Sequence, residues 1–197
     1  MDIVILVRKH HKENSMTAKT INGILFIVAG IAPLIIYLGL GPDGTGLLEL
    51  DLTEKLATWL MFSAPIAIMM TRDSIKGGEG YGIVNAGFLI FIIAWPVGIV
   101  ADAFNGALME ESADAIGAFG WSSMMLGFFI SGIGYYVNKF FPIWLCGLLC
   151  LVTAYGFIAL GFINMTPDNE DALLMPLWLG FTLTIVLLGI FRMRKES

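Results

Sequence analysis

A chain of 197 residues that is 57% hydrophobic and only 14% charged, with mean hydropathy +0.83, holds more apolar side chain than one water-soluble core of its size can cover. Soluble domains carry about 25% charged residues, so the chain reads as an all-α integral membrane protein; its apolar content and its two cysteines exclude collagen-like, disordered and disulfide-rich classes. The net charge of −5 at pH 7 hides an uneven distribution along the sequence, with consequences for topology.

Residues 1–19 read as a basic cytoplasmic arm lying on anionic lipid. Its apolar run, Ile3 to Val7, is too short for a cleavable leader and precedes the basic stretch instead of following it. Met16 offers an alternative start. A helix needs about 20 apolar residues to cross ~30 Å of hydrocarbon. Six runs qualify: Ile21 to Leu40, Leu56 to Thr71, Tyr81 to Ala101, Ala115 to Val137, Phe140 to Met165 and Ala172 to Phe191. The second is short, and Leu47 to Thr53 is expected to extend it as an amphipathic first turn. Together the runs predict a six-helix transmembrane domain over 20–192 with a short cytoplasmic tail over 193–197.

Charges between the spans test that count. Arg8, Lys9, Lys12 and Lys19 precede the first span, Arg72 and Lys76 follow the second, Lys139 follows the fourth, and Arg192, Arg194 and Lys195 follow the sixth. Ten of the 11 basic residues thus fall on one side, Lys55 being the exception. The positive-inside rule then predicts a multi-pass protein of the cell (inner) membrane with both termini cytoplasmic. The opposite loops hold Asp43, Glu49, Asp51 and Glu54, then Asp102, Glu110, Glu111 and Asp114, then Asp168, Glu170 and Asp171. Such a face concentrates cations and repels anions.

The even spans share a layout, with Trp59 followed by Lys76, Trp121 by Lys139 and Trp178 by Lys195. In the odd spans, Asn22 and Pro33 match Asn85 and Pro96 at the same spacing, in "NGILFIVAGIAP" and "NAGFLIFIIAWP". Both patterns predict three helical hairpins around a pseudo-threefold axis, with a central path inside one subunit. Such a layout resembles that of the acid-activated urea and amide channels, and the length, six spans and inner termini are similar to those of the small acetate and succinate channels. The likeness covers architecture alone. The Asn-Pro-Ala-Pro-Leu-Gly-Leu start of the acetate group is missing, its nearest counterpart "IAPLIIYLGL" lies inside the first span, and the urea channels place their termini outside. No functional residue is therefore carried over.

The inventory for catalysis is poor. His10 and His11, the only histidines, precede the membrane domain, no His-Glu-x-x-His is present, no lysine falls inside a span and no arginine ladder exists. Cys146 and Cys150 lack further metal ligands and read as small buried side chains at a helix contact. The glycines of "KGGEGYGIVN" lack the strand and the Lys-Ser/Thr ending of a phosphate loop and read as a flexible inner loop. No enzyme activity, cofactor, metal or nucleic-acid partner is expected.

Pro33, Pro65 and Pro96 each release a carbonyl and bend a helix, as transporters do where backbone oxygens meet a solute. Asp102 is the acid nearest the hydrocarbon, placed to bind a cation or to mark the interface. Asn22, Pro33, Asn85, Pro96 and Asp102 therefore form the candidate solute path, and a double change of Asn22 and Asn85 to Leu is expected to alter stability little. Ser123, Gly127 and Ser131 recur every fourth residue, a small-residue ridge for close helix packing. The first functional expectation is a channel or facilitator for a small neutral or weakly acidic solute. The alternative is a non-transporting membrane subunit or scaffold of a larger complex. The bilayer is the expected partner, with a homo-oligomer or a larger membrane complex as the setting. A polar-lined path through the bundle separates the first reading from the second, which expects a core of Leu, Ile and Phe.

Overall fold

Thr17 opens the first helix: its hydroxyl accepts a hydrogen bond from the Thr20 amide at 3.2 Å, satisfying one of the orphan donors of helix α1 (Ala18–Leu34). The computed structural model describes residues 17–166 and 168–194; residues 1–16 of the expected arm over 1–19 and residues 195–197 of the expected tail over 193–197 lie outside the described residues. Every element among those residues is helical. After α1 the chain widens into a π-helical segment, Ile35–Leu40, two residues beyond Pro33. There follow α2 (Leu50–Met61), α3 (Ser63–Ser74), α4 (Tyr81–Gly106), α5 (Glu110–Asn138), α6 (Ile143–Phe162) and α7 (Glu170–Arg194).

Among the described residues five units are long and apolar enough to cross a membrane: α1 with its π segment, α4, α5, α6 and α7. The predicted span over 56–71 is not one helix. It breaks at Phe62 into α2 and α3 of 12 residues each. Pro65 explains the break, because it cannot donate to the Met61 carbonyl and its ring crowds that carbonyl, so a new helix starts at Ser63 and places Pro65 in its first turn. Pro96 and Pro176, by contrast, sit inside unbroken helices. The fifth run also shortens: Pro142 caps α6, while Phe140 and Phe141 fold back into the core at 7% and 4% exposure.

The packing order follows the chain. α4 lies on α5, α5 on α6, α6 on α7 and α7 on α1, while α2 and α3 fill the gap between α1 and α4. The closest helix pairs are paved with glycine. A Cβ on Gly127 would lie 2.8 Å from the Gly87 carbonyl oxygen, on Gly120 2.7 Å from the Gly98 nitrogen, and on Gly134 2.7 Å from the Val84 nitrogen. Three glycines spaced seven residues apart on α5 thus meet the backbone of α4. Between α1 and α7 the same device recurs, with Gly189 set so that a Cβ would approach the Gly23 oxygen to 2.5 Å. Small residues let backbones approach this closely where lipid supplies no hydrophobic drive for helix association. Outward, the bundle exposes Ile93, Leu151, Phe162 and Ile143 at 67–72%, a surface suited to acyl chains and not to water.

The three predicted Trp/Lys repeats are not equivalent in three dimensions. Trp59 stands on the surface, whereas Trp121 packs over Gly98 and against Trp95, and Trp178 packs against Phe181.

Candidate functional site

Two polar clusters lie at opposite ends of an apolar interior. The first is built by α2, α4 and the π segment. Tyr37 donates to the Glu54 carboxylate, which also accepts from the Asn105 amide, and one helical turn away Thr58 donates to Asp102 at 3.0 Å. The pairings run 54 with 105 and 58 with 102, so α2 and α4 are antiparallel and joined by two polar rungs. Glu54 is 5% exposed and lies two residues before the predicted span. Burial pushes its carboxyl above the usual range, while the hydrogen bonds from Tyr37 and Asn105 act in the other direction. The π segment carries an extra residue per turn, a geometry often found at functional sites, and Tyr37 lies within it.

The second cluster joins α1, α3 and α7. Asn22, wholly buried, donates to the Ala67 carbonyl at 2.7 Å and accepts from Thr71 at 3.0 Å and from Arg192 Nε at 2.8 Å. Arg192 also donates to Ser74 Oγ at 2.7 Å and lies over the Phe140 ring at 5.1 Å. Its residue is 6% exposed, and among the described residues it has no carboxylate partner. Beside it opens a recess of about 510 Å³, lined by Lys19, Ser74, Lys76, Asn138, Phe140 and Arg192 among others.

Between the clusters the interior is aromatic. Phe91 stacks on Trp95 at 5.2 Å and meets Phe128 edge-on at 5.0 Å; Phe128 meets Phe181 at 5.1 Å, and Trp95 meets Phe62 and Trp121 at 6.2 and 6.0 Å. Met124, Met125, Leu145, Leu149 and Leu177 fill the remainder at 0% exposure.

The predicted path residues are dispersed over this frame. Asn22 belongs to the Arg192 cluster, Asp102 to the Glu54 cluster, Pro33 and Asn85 are half-buried and Pro96 is exposed on the outside of α4. α1 and α4 share no substantial interface, so Asn22 and Asn85 are not paired across a common wall. The expectation that Asn22 can be exchanged for Leu at little cost does not survive its geometry, because it holds three buried hydrogen bonds. On the predicted ridge, Gly127 and Ser131 are buried against α4, with Ser131 Oγ donating to the Gly127 carbonyl at 2.9 Å, while Ser123 is half-exposed. Sequence reasoning missed Glu54, Tyr37 and Arg192. Arg192 falls just past the predicted end of the last span at Phe191, where nothing in the sequence separates it from Arg194 and Lys195, yet it lies within α7, two residues before the end of that helix. Cys146 is buried and Cys150 half-buried, both as free thiols, Cys150 lying against Gly132.

No protein-family model, curated protein or solved structure matches this chain.

Proposed function

We propose that this integral membrane protein is a non-transporting subunit that anchors and organises a larger membrane assembly, with the basic end of the bundle and both termini on the cytoplasmic side. The observation that supports it is the aromatic and methionine layer that fills the interior between the two polar clusters. A solute crossing that layer would shed its water against ring and thioether surface, with little beyond the unpartnered indole N–H of Trp95 to replace it, a cost of several kcal/mol for each polar group left unpaired. The glycine-paved interfaces add a tightly packed body of the kind a subunit needs to hold partners in fixed positions.

The second reading is a channel or facilitator for a small neutral or weakly acidic solute, with three hairpins lining a central path. It is favoured by one feature, the acid-lined Glu54 and Asp102 cluster at one end of the bundle. Uptake of urea and acetate into liposomes carrying the purified chain, between pH 5 and 8, separates the two. The subunit reading expects no permeability above that of empty liposomes. A protein-dependent flux, reduced by an Asp102→Leu change, would replace it with the channel reading.

A further inference from the structure

Arginine stays protonated at any pH a protein meets, and a buried charge is expected to be paired. Arg192 is buried at 6% exposure, yet its partners among the described residues are neutral: the Asn22 oxygen, the Ser74 hydroxyl and the Phe140 ring. Those contacts use Nε–H and one Nη2–H, leaving three of the five guanidinium donors for another acceptor. The recess beside it carries two further cations, Lys19 and Lys76, with the amide of Asn138 and the Ser74 hydroxyl on its wall, and no carboxylate among its described lining residues. At about 510 Å³ it lies within the range of small-molecule sites. A second recess of about 400 Å³ shares Phe140 with it and is lined by Lys139 and Arg194 together with Phe141, Pro142 and Phe191. Basic pockets between membrane helices, flanked by apolar side chains, fit a phosphate at the water boundary with acyl chains alongside.

We propose that this recess is a binding site for a phosphate group, with Arg192 as its fixed ligand and Lys19 and Lys76 as its electrostatic rim. Arg192 supplies a planar fork of donors suited to phosphate oxygens. Asn22 and Ser74 hold that fork in place, so little side-chain entropy is lost on binding. The phosphate can be that of an anionic lipid headgroup or a soluble phosphate, and the two differ in whether the aromatic second recess contributes. The site is independent of the subunit and channel readings: loss of flux leaves it standing, and loss of binding leaves the flux result standing.

The test uses the full chain purified in neutral detergent, read by native mass spectrometry and by thermal midpoint. One arm adds phosphatidylglycerol or phosphatidylcholine in mixed micelles; the other adds inorganic phosphate or diphosphate against chloride and sulfate at matched ionic strength. Stabilisation and adducts with phosphatidylglycerol alone identify a headgroup site, with phosphate or diphosphate alone a soluble-ligand site, and with both a site for the phosphate group itself. Binding should fall about tenfold or more in Arg192→Gln, the loss expected for a charge-assisted hydrogen bond. Arg192 also braces the fold, so a Lys19→Gln, Lys76→Gln double variant provides a second measure with a similar expected drop. The proposal is overturned if no phosphate source binds above the chloride, sulfate and phosphatidylcholine controls, or if the variants bind as the unaltered chain does.

Discussion

Replacing Gly127 by Ala should destabilise the protein, while the same change at Gly147 should stabilise it. Both glycines lie inside helices, so both gain the backbone entropy benefit of alanine, roughly 0.5–1 kcal/mol. They differ in what the new methyl meets. At Gly127 it would lie 2.8 Å from both the Gly87 oxygen and the Phe91 nitrogen and 3.0 Å from Phe91 Cβ; at Gly147 nothing lies within 4 Å. Relieving the first contact requires α4 and α5 to separate by several tenths of an ångström along an interface that Gly120 and Gly134 also pave, at an overpacking cost of about 1–3 kcal/mol. In a chain of this size each kcal/mol moves the thermal midpoint by about 2–4 °C. Gly127→Ala should therefore lower the midpoint in detergent by up to about 10 °C, and Gly147→Ala should raise it by about 1–3 °C. A shift of the same sign and size at both positions would refute the close approach of α4 and α5.

Other outcomes follow from the two clusters and the topology. Asn22→Leu removes the acceptor of a buried guanidinium, at a cost of about 2–3 kcal/mol, and should lower the midpoint by several degrees, whereas Asn85→Leu at a half-buried position should change it little. Because burial raises the Glu54 carboxyl, the folded chain holds that proton more tightly than the unfolded one, and stability falls as pH climbs through the ordinary carboxylate range near about 4.3. Glu54→Gln should thus gain on the unaltered protein as pH rises from about 4 to 7, and a midpoint difference independent of pH would contradict the buried acid. In intact cells a cysteine at Thr45 should react with an impermeant maleimide and one at Lys76 only after permeabilisation, both in a background with Cys146 and Cys150 replaced by alanine; the reverse pattern would sink the orientation.

Helix identity was legible in the sequence because a membrane span needs only length and apolarity, properties that α4, α5 and α7 carry without ambiguity. The break at 56–71 has a local cause in Pro65, whose effect depended on whether the helix would continue, as at Pro96, or restart. Both are proline in apolar surroundings, and their packing neighbours are invisible in one dimension. Gly127 and Ser131 could be singled out by spacing. Their shared partner Gly87 could not, nor could the pairing of Gly120 with Gly98, since the 7 residues from Gly120 to Gly127 on α5 are met by the 11 from Gly87 to Gly98 on α4. Asn22 and Asp102 were noticed as polar residues at span ends, but their partners Arg192 and Thr58 are 170 and 44 residues away. Glu54 looked like one more acid in an acidic loop until the fold placed Tyr37 and Asn105 on it.

The break at Phe62 bears on how the chain enters the bilayer. Each half, at 12 residues and about 1.5 Å per residue, spans roughly 18 Å, short of the ~30 Å of hydrocarbon. Asp51, Glu54 and Lys55 on α2 add to the cost of partitioning it alone. The polar groups of this segment are satisfied by residues on either side in the chain, Asn22 before it and Asp102 and Asn105 after it. During synthesis it therefore emerges before half of its partners exist. α2 and α3 should remain at the insertion machinery, or at the bilayer surface, until α4 has been made, and a chain truncated at residue 80 should fail to integrate this segment even though α1 is in place.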